Sequence, residues 1–424
     1  MVQTNSDSAA AWQKEIYLRG FAGKRLEVSI DPIQLEQQAQ KSMSPEAFAY
    51  IAGGAGLEST IHNNRSAFEK YKIIPRMLQD VSTRDTSIEF LGKRYATPLF
   101  LSPVGVLEMV HPEADIAVGK AAASLQLPYI FSNQASKPME EVAAHMGESP
   151  RWFQLYWSKS RELVASFVER AERCGCGAIV VTLDTTMLGW RTRDLDMAYL
   201  PFLEGKGIAQ YTSDPVFQKL MDEPVSGGEK RNITLHSLAG LIQMTRNYPG
   251  GHFFSKLMSG RPRRAVQKFI NIYSNPALTW NDLSFLRQHT KLPILLKGIM
   301  HPDDARLAIT YGVDGIIISN HGGRQVDGSV STLEMLPAIV RAVGPDFPVL
   351  MDGGVRGGAD VIKALALGAK AVCIGRPYVY GLAIAGQTGV YQVVRNLLAD
   401  IELTMGLAGC RSITEINAET INAT

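Results

Sequence analysis

Cysteine is scarce in this sequence: four in 424 residues, at Cys174, Cys176, Cys373 and Cys410, none in the C-x-x-C spacing of zinc or redox sites. That excludes a disulfide scaffold and predicts reduced thiols in a cytoplasmic protein. "CGC" at 174–176 reads either as a helix end stopped by glycine or as a reactive pair, the first being the simpler. Charge of one sign is also missing. Forty-three Lys and Arg against 41 Asp and Glu leave +2, so neither a nucleic-acid partner nor a basic membrane-surface protein is implied. No stretch holds the ~18 consecutive apolar residues a spanning helix needs. The start, "MVQTNSDSAAAWQKE", has no apolar signal-peptide core. No membrane partner is expected.

Apolar material is present in short runs. "PLFLSPV" (98–104), "PYIFS" (128–132), "WFQLYW" (152–157) and "AIVVTLD" (178–184) are followed by "PILLKG" (293–298), "GIIISN" (315–320), "PVLMDGG" (348–354) and "AVCIGR" (371–376). Continuous rather than alternating apolar character is what parallel strands covered by helices require. Helical patterns such as "RELVASFVERAERCG" and "GGADVIKALALGA" lie between them, several stopping at glycine. Eight such units in a row predict an α/β fold, a closed (β/α)8 TIM barrel, rather than an open sheet. Residues 1–70 read as a helical segment before it, with the barrel over 71–198 and 266–424, all one domain. Residues 199–265, a long stretch containing Gly and Pro, interrupt the repeat between strands 4 and 5. An insertion of that length is a functional lid, or else a solvated or oligomer-contact loop, and here it leaves the C-terminal face of the barrel.

The strands end in polar residues that a packed sheet does not need: Gln154 and Tyr156, Thr182 and Asp184, Lys297, Ser319 and His321, Asp352, and Arg376. Singly, each has a structural explanation: Lys297 as a carbonyl cap, Asp352 as a helix cap, His321 as a hydrogen-bonded core histidine. Jointly they fall on the one face of a barrel that hosts chemistry. The last two units add glycine, in "DGGVRGG" (352–358) and "GRP" (375–377). Glycines let backbone N–H groups approach a phosphate, and Arg356 and Arg376 add charged donors, at the usual phosphate site of this barrel. A phosphate-bearing cofactor beside a strand-5 lysine suggests FMN. Lys297 would stabilise its anionic reduced ring, and Gln154 and Thr182 would meet its pyrimidine edge. Arg191 and Arg324 suit a substrate carboxylate, His321 a base at a 2-hydroxyl, and Asp184 the carboxylate behind it.

These stretches are similar to one family. "SNHGGRQVDG" (319–328), "LKGI" (296–299), "FQLYW" (153–157), "VTLDT" (181–185) and "ALALGAKAVCIGRP" (364–377) resemble the FMN-dependent 2-hydroxy-acid oxidases and dehydrogenases, from "FAYIAGGAG" (48–56) to the last helix. Within the family, "GWRTRDLD" (189–196), "LPFLEG" (200–205) and "YTSDPVFQK" (211–219) most resemble the lactate 2-monooxygenase branch. The resemblance implies FMN as cofactor, a small L-2-hydroxy acid as substrate and O2 as acceptor. The oxo acid would be retained and converted to acetate, CO2 and water, or released with H2O2 by an oxidase. A dehydrogenase using another acceptor would need a docking segment, for which "KLMSGRPRR" (256–264) is the candidate. Hydride and carbanion routes use the same residues.

By motif, the resemblance implies that Tyr50, Tyr156, Arg191 and Arg324 bind substrate, with His321, Asp184, Tyr156 and Lys297 catalytic. It assigns Pro103, Val104, Gly105, Ser132, Gln154, Thr182, Lys297 and Ser319 to the flavin ring and chain. Asp352, Gly353, Gly354, Arg356, Gly375 and Arg376 would hold its phosphate. Gln134 departs from the aromatic of glycolate oxidases, Gly105 from a common alanine and Val104 from a common threonine. A homotetramer or larger homo-oligomer is the expected assembly, and no metal is expected.

Overall fold

The computed structural model describes residues 8–223 and 235–423. All eight apolar runs form strands: β1 (Leu99–Leu101), β2 (Tyr129–Phe131), β3 (Arg151–Leu155), β4 (Ile179–Thr182), β5 (Ile294–Ile299), β6 (Gly315–Ile318), β7 (Val349–Met351) and β8 (Ala371–Ile374). They pair in parallel and in sequence order, and β8 closes onto β1 through Val372–Leu99, Cys373–Phe100 and Ile374–Leu101. β1, β2, β4, β6, β7 and β8 are buried along their whole length, as strands covered on both faces must be. The fold is a (β/α)8 TIM barrel.

Before β1 the hairpin Ile88–Phe90/Lys93–Tyr95 brings Phe90 and Tyr95 onto Phe100 and Trp152, with ring centroids 4.8–6.4 Å apart. Rings this close fill space that aliphatic side chains would leave open. The chain up to Lys70 is helical, with α1 (Ala9–Phe21), α2 (Pro32–Ser42), α3 (Pro45–Ala52) and α4 (Ser59–Ser66), and Tyr71–Ile73 then pairs antiparallel with Ile421–Ala423. Ser8, Asp31 and Ser44 cap the first three by accepting N–H bonds from the opening turn, with proline just inside α2 and α3. α3 and α4 lead to the C-terminal face of the barrel.

The insertion is not a structureless loop. Its described parts are short helices, at Ala209–Thr212, Pro215–Leu220, Leu235–Asn247, Phe253–Ser259 and Arg261–Ile272, the last running past residue 265. Residues 224–234, within the stretch read as a lid, lie outside the described residues. Phe202, Tyr211, Phe217 and Phe269 are buried and pack ring against ring at 4.8–5.5 Å, giving the insertion an aromatic core joined to Phe167 of the barrel helices. Arg170 is bonded by Glu140, Asp214 and the Gln210 carbonyl at 2.7–3.0 Å, which fastens the insertion to the outer helices. "KLMSGRPRR" spans the end of one helix and the start of the next, turning at Gly260 with φ +64°. Among the described residues no helix is long and apolar enough to cross a membrane.

Candidate active site

A cavity opens at the C-terminal ends of the strands, its empty space about 1140 Å³ with the open solvent at its mouth included. On one side it is lined by Pro103, Val104, Gly105, Thr182 and Lys297, on another by Asp352, Gly353, Gly354, Arg356, Gly375 and Arg376, and across its mouth by Tyr50, Tyr156, Arg191, His321 and Arg324. Four residues expected at the site do not line it. Asp184 stands behind His321, Ser319 beside Lys297, and Gln154 and Ser132 behind the loop 133–134, accepting from the backbone N–H of Asn133 at 3.1 Å and of Gln134 at 3.1 Å.

His321 follows β6 and has φ +57°, a conformation uncommon without glycine. Its Nδ1 is 2.8 Å from Asp184 Oδ1, and Thr185 Oγ1 reaches both Nδ1 (3.2 Å) and Asp184 Oδ1 (2.8 Å). Nδ1 is therefore occupied, and Nε2 is the nitrogen left for the cavity. Burial holds the imidazole below its ordinary pKa against the pull of Asp184. Burial pushes Asp184 the other way, but His321, Lys297 and the Thr185 hydroxyl outweigh it and keep the carboxylate ionised. A neutral imidazole backed by a carboxylate is the state a proton acceptor needs.

Lys297, on β5, is buried and donates to Ser319 Oγ at 2.6 Å and pairs with Asp352 Oδ2 at 2.8 Å. Burial disfavours its charge, but Asp352 and Asp184 overcome that and hold it above its ordinary range. The Tyr156 hydroxyl is pushed up by burial and then by Asp184, so it stays a neutral donor. The Arg191 and Arg324 guanidinium carbons lie 5.8 and 4.8 Å from the Tyr50 ring centroid. Arg324 also donates to the Tyr50 and Gly53 carbonyls, while Arg191 is braced by the Arg324 carbonyl and Gln325 Oε1 at 3.2 and 3.0 Å. Burial, then the like charge of Arg191, pushes Arg324 down to about 9; it remains cationic at neutral pH. Among the described residues neither arginine makes an ion pair with a carboxylate, although Asp194 lies near enough to act on both, and two cations so placed can receive an anion.

Sequence reasoning missed several participants. Gln325 ties Arg191 to the loop after β4 by donating to the Asp184 and Met187 carbonyls at 2.7 and 2.8 Å. Leu188, Phe202 and Tyr273 add an apolar wall, the last two from the insertion and its final helix. Arg376, expected at a phosphate, donates to the carbonyls of Ile51, Gly322 and Gly53 at 2.9–3.0 Å, so it also binds the end of α3 to the His321 turn. Val106, buried with φ +58°, is a strained β-branched residue directly after the loop 103–105, held by its N–H to the Gln134 carbonyl at 2.9 Å.

The cavity fits FMN. Ser102 Oγ, Thr182 Oγ1 and Asp352 Oδ1, on three residues that line it, are buried polar atoms without a protein partner, and such atoms around one cavity call for a polar ligand. Gly353 and Gly354, with φ +97° and +81°, line the cavity beside Arg356, so that the backbone of this turn is at hand for a phosphate. Lys297 supplies the fixed positive charge beside the cradle.

Fold and site together define a TIM barrel whose C-terminal face gathers a carboxylate-backed histidine and two arginines around one cavity. The model of the FMN-dependent dehydrogenases matches residues 39–423. An L-lactate oxidase of Lysinibacillus sphaericus is 44% identical over 91% of this chain and 91% of its own. An FMN-dependent alpha-hydroxy acid dehydrogenase of Penicillium citrinum is 40% identical over 96% of this chain and 94% of its own. A crystal structure of mandelate oxidase superposes with a TM-score of 0.74 at 35% identity, covering 94% of this chain and 99% of that one. The chain belongs to the FMN-dependent 2-hydroxy-acid oxidase and dehydrogenase family, and FMN is its cofactor.

Proposed function

We propose that the protein oxidises L-lactate with O2 and keeps the oxo acid long enough to release acetate, CO2 and water. The observation that carries the oxidation is the His321–Asp184 contact at 2.8 Å beside the Arg191–Arg324 pair. In this reading the arginines hold the carboxylate, and Tyr50 and Tyr156 orient the substrate. His321 Nε2 takes the 2-hydroxyl proton as C2 is oxidised, and Asp184 stabilises the imidazolium. The flavin supplies the two-electron acceptor that O2 regenerates. Lys297 holds positive charge where the cradle must accept negative charge.

Retention is the finer part of the proposal. Phe202 and Tyr273 wall the cavity from the insertion side, and the described helices of 199–265 act as the lid that slows escape of the oxo acid. A wall of Leu188, Phe202 and Tyr273 around Gln134 favours a small side chain such as the methyl of lactate. The second reading, a lactate oxidase releasing pyruvate and H2O2, is favoured by the name of the Lysinibacillus relative. The test is turnover of L-lactate in air-saturated buffer with catalase, with carbon products resolved by NMR. Acetate as the main product is expected; pyruvate as the main product overturns retention and leaves an oxidase. The reading also keeps the protein in the cytoplasm, with its four buried cysteines reduced. Exposed Tyr17, Leu18, Phe21 and Ile33 on α1 and α2 support a homotetramer or larger assembly, which sedimentation velocity reads directly.

The pH dependence has a definite sign. Burial favours neutral His321, so its pKa lies below the ordinary 6.5, and a base works only unprotonated. kcat/KM for lactate is expected to be flat around neutral pH and to fall about tenfold per unit below the depressed pKa. A midpoint above the ordinary histidine value would contradict the assignment.

A further inference from the structure

The turn that carries His321 has no regular structure of its own. His321, Gly322 and Gly323 have φ of +57°, +63° and +80°, and a non-glycine residue stays in that region only where its surroundings over-determine it. Ser319 Oγ, Ala55 N and Arg376 hold the backbone of the turn at single points, and the residue before it adds a buried side-chain network. Asn320 Oδ1 accepts from Gly323 N at 3.2 Å and from Asn64 Nδ2 at 2.8 Å. Its Nδ2 donates to Asn64 Oδ1 at 2.8 Å and to the Val330 carbonyl at 3.2 Å. All the hydrogen-bonding capacity of that amide is thereby used. Asn64 and Asn320 are 2% and 7% exposed, so the reciprocal pair is shielded from competing water.

Asn64 lies on α4, and the next residue of that helix serves the other loop. Arg65 Nη1 donates to the Gly354 carbonyl at 2.7 Å, and its guanidinium forks onto Asp360 at 2.6 and 3.1 Å. Asp360 Oδ2 in turn accepts from the backbone N–H of Arg356 and Gly357 at 2.8 and 3.2 Å. The helix backbone also abuts both loops. A Cβ on Gly323 would stand 2.8 Å from Ile61 N, and one on Gly354 would stand 2.2 Å from the Asn64 carbonyl oxygen.

We propose that α4 is a positioning element with two separable duties: Asn64 holds the His321 turn in its reactive geometry, and Arg65 holds the glycine loop 353–357 that faces the cofactor phosphate. Neither side chain touches substrate or flavin in this arrangement. The inference rests on the reading of His321 as base. The split follows from where the bonds go. Those of Asn64 end on residues 320 and 332, those of Arg65 on residues 354 and 360.

The test compares Asn64→Ala, Asn64→Asp and Arg65→Met with the parent protein, alongside His321→Gln. Three quantities are measured: the FMN dissociation constant by titration of flavin-stripped protein, the limiting anaerobic rate of flavin bleaching by lactate at saturating FMN, and the melting temperature. Asn64→Ala is expected to lower the bleaching rate about tenfold or more with FMN affinity within about threefold. Asn64→Asp keeps the acceptor for Asn320 Nδ2 and Thr332 N but sets a buried carboxylate oxygen against Asn320 Oδ1 in place of the donor, so it too is expected to lower the rate with FMN affinity within about threefold. Arg65→Met is expected to weaken FMN about tenfold or more with the bleaching rate within about threefold. Parallel losses of rate and affinity that track melting temperature, or parental values in both variants, overturn the proposal. If Asn64→Ala does not fold, Asn64→Asp carries the same comparison. An inert His321→Gln beside a parental Asn64→Ala sinks the positioning role alone. A His321→Gln that bleaches normally sinks the base assignment and, with it, the role given to Asn64.

Discussion

His321→Gln is expected to keep FMN bound and to slow its anaerobic reduction by L-lactate about 10²–10⁴-fold, the range lost when a positioned base is removed. The two halves of that result come from different parts of the site. The cradle that fits FMN is made of the buried polar atoms of Ser102, Thr182 and Asp352 and the glycine loops after β7 and β8, none of which His321 bonds. Glutamine can donate to Asp184 as the imidazole does, at the 2.8 Å position of Nδ1, but its amide cannot accept a proton at pH 7. The confounding effect is backbone strain, because position 321 has φ +57° and glutamine tolerates it poorly. His321→Asn answers that point, since asparagine populates the left-handed region more readily. Both variants yellow and both slow identifies proton transfer as the loss. Bleaching within about tenfold of the parent in either variant removes His321 as the base.

How much of this was visible in the chain depends on how local each signal is. The barrel was legible because a strand buried on both faces must be apolar throughout, and "GIIIS" or "AVCIG" admit few other readings; they became Gly315–Ile318 and Ala371–Ile374. Polar residues at strand ends were legible for the same reason, standing out against an apolar background. The insertion was not. Its helices at 209–212 and 215–220 are four and six residues long, too short for a periodic pattern and fixed by the aromatic core around Tyr211 and Phe269, while the longer Leu235–Asn247 and Arg261–Ile272 carry no sign of where they pack. Phe202 and Tyr273 reach the cavity only through that packing. Asn64 shows the limit most clearly. An asparagine in a polar stretch, "STIHNNRS", carries no mark of its partner, because the amide pair with Asn320 exists only once α4 lies against the turn after β6. Gln325 and Thr185 stood inside motifs that had been read, but an amide and a hydroxyl beside a histidine, an arginine and a carboxylate are silent until distances are known.

Arg324→Met is expected to lower kcat/KM for L-lactate roughly 30- to 5,000-fold, the equivalent of the ~2–5 kcal/mol lost when one partner of a desolvated charge pair is truncated. Methionine keeps most of the length and the apolar stem of arginine, so the change removes charge and the planar fork while disturbing volume little. Arg191 remains, braced by Gln325 at 3.0 Å, and one cation still attracts the carboxylate, so the loss falls chiefly on KM rather than on the limiting rate of reduction. Arg324→Lys restores the charge without the fork and is expected to recover only part of the loss. Arg324 has a structural duty too, since it donates to the Tyr50 and Gly53 carbonyls, and a slow variant could owe its defect to a displaced Tyr50. The substrate separates the two causes. Lactamide carries the same 2-hydroxyl and methyl but no carboxylate, so a clamp has nothing charged to hold. If Arg324 is a clamp, the variant is impaired on lactate and nearly matches the parent on lactamide, slow as both are. An equal proportional loss on acid and amide means that Arg324 shapes the pocket through Tyr50 and Gly53, and the carboxylate must then be held by Arg191 alone.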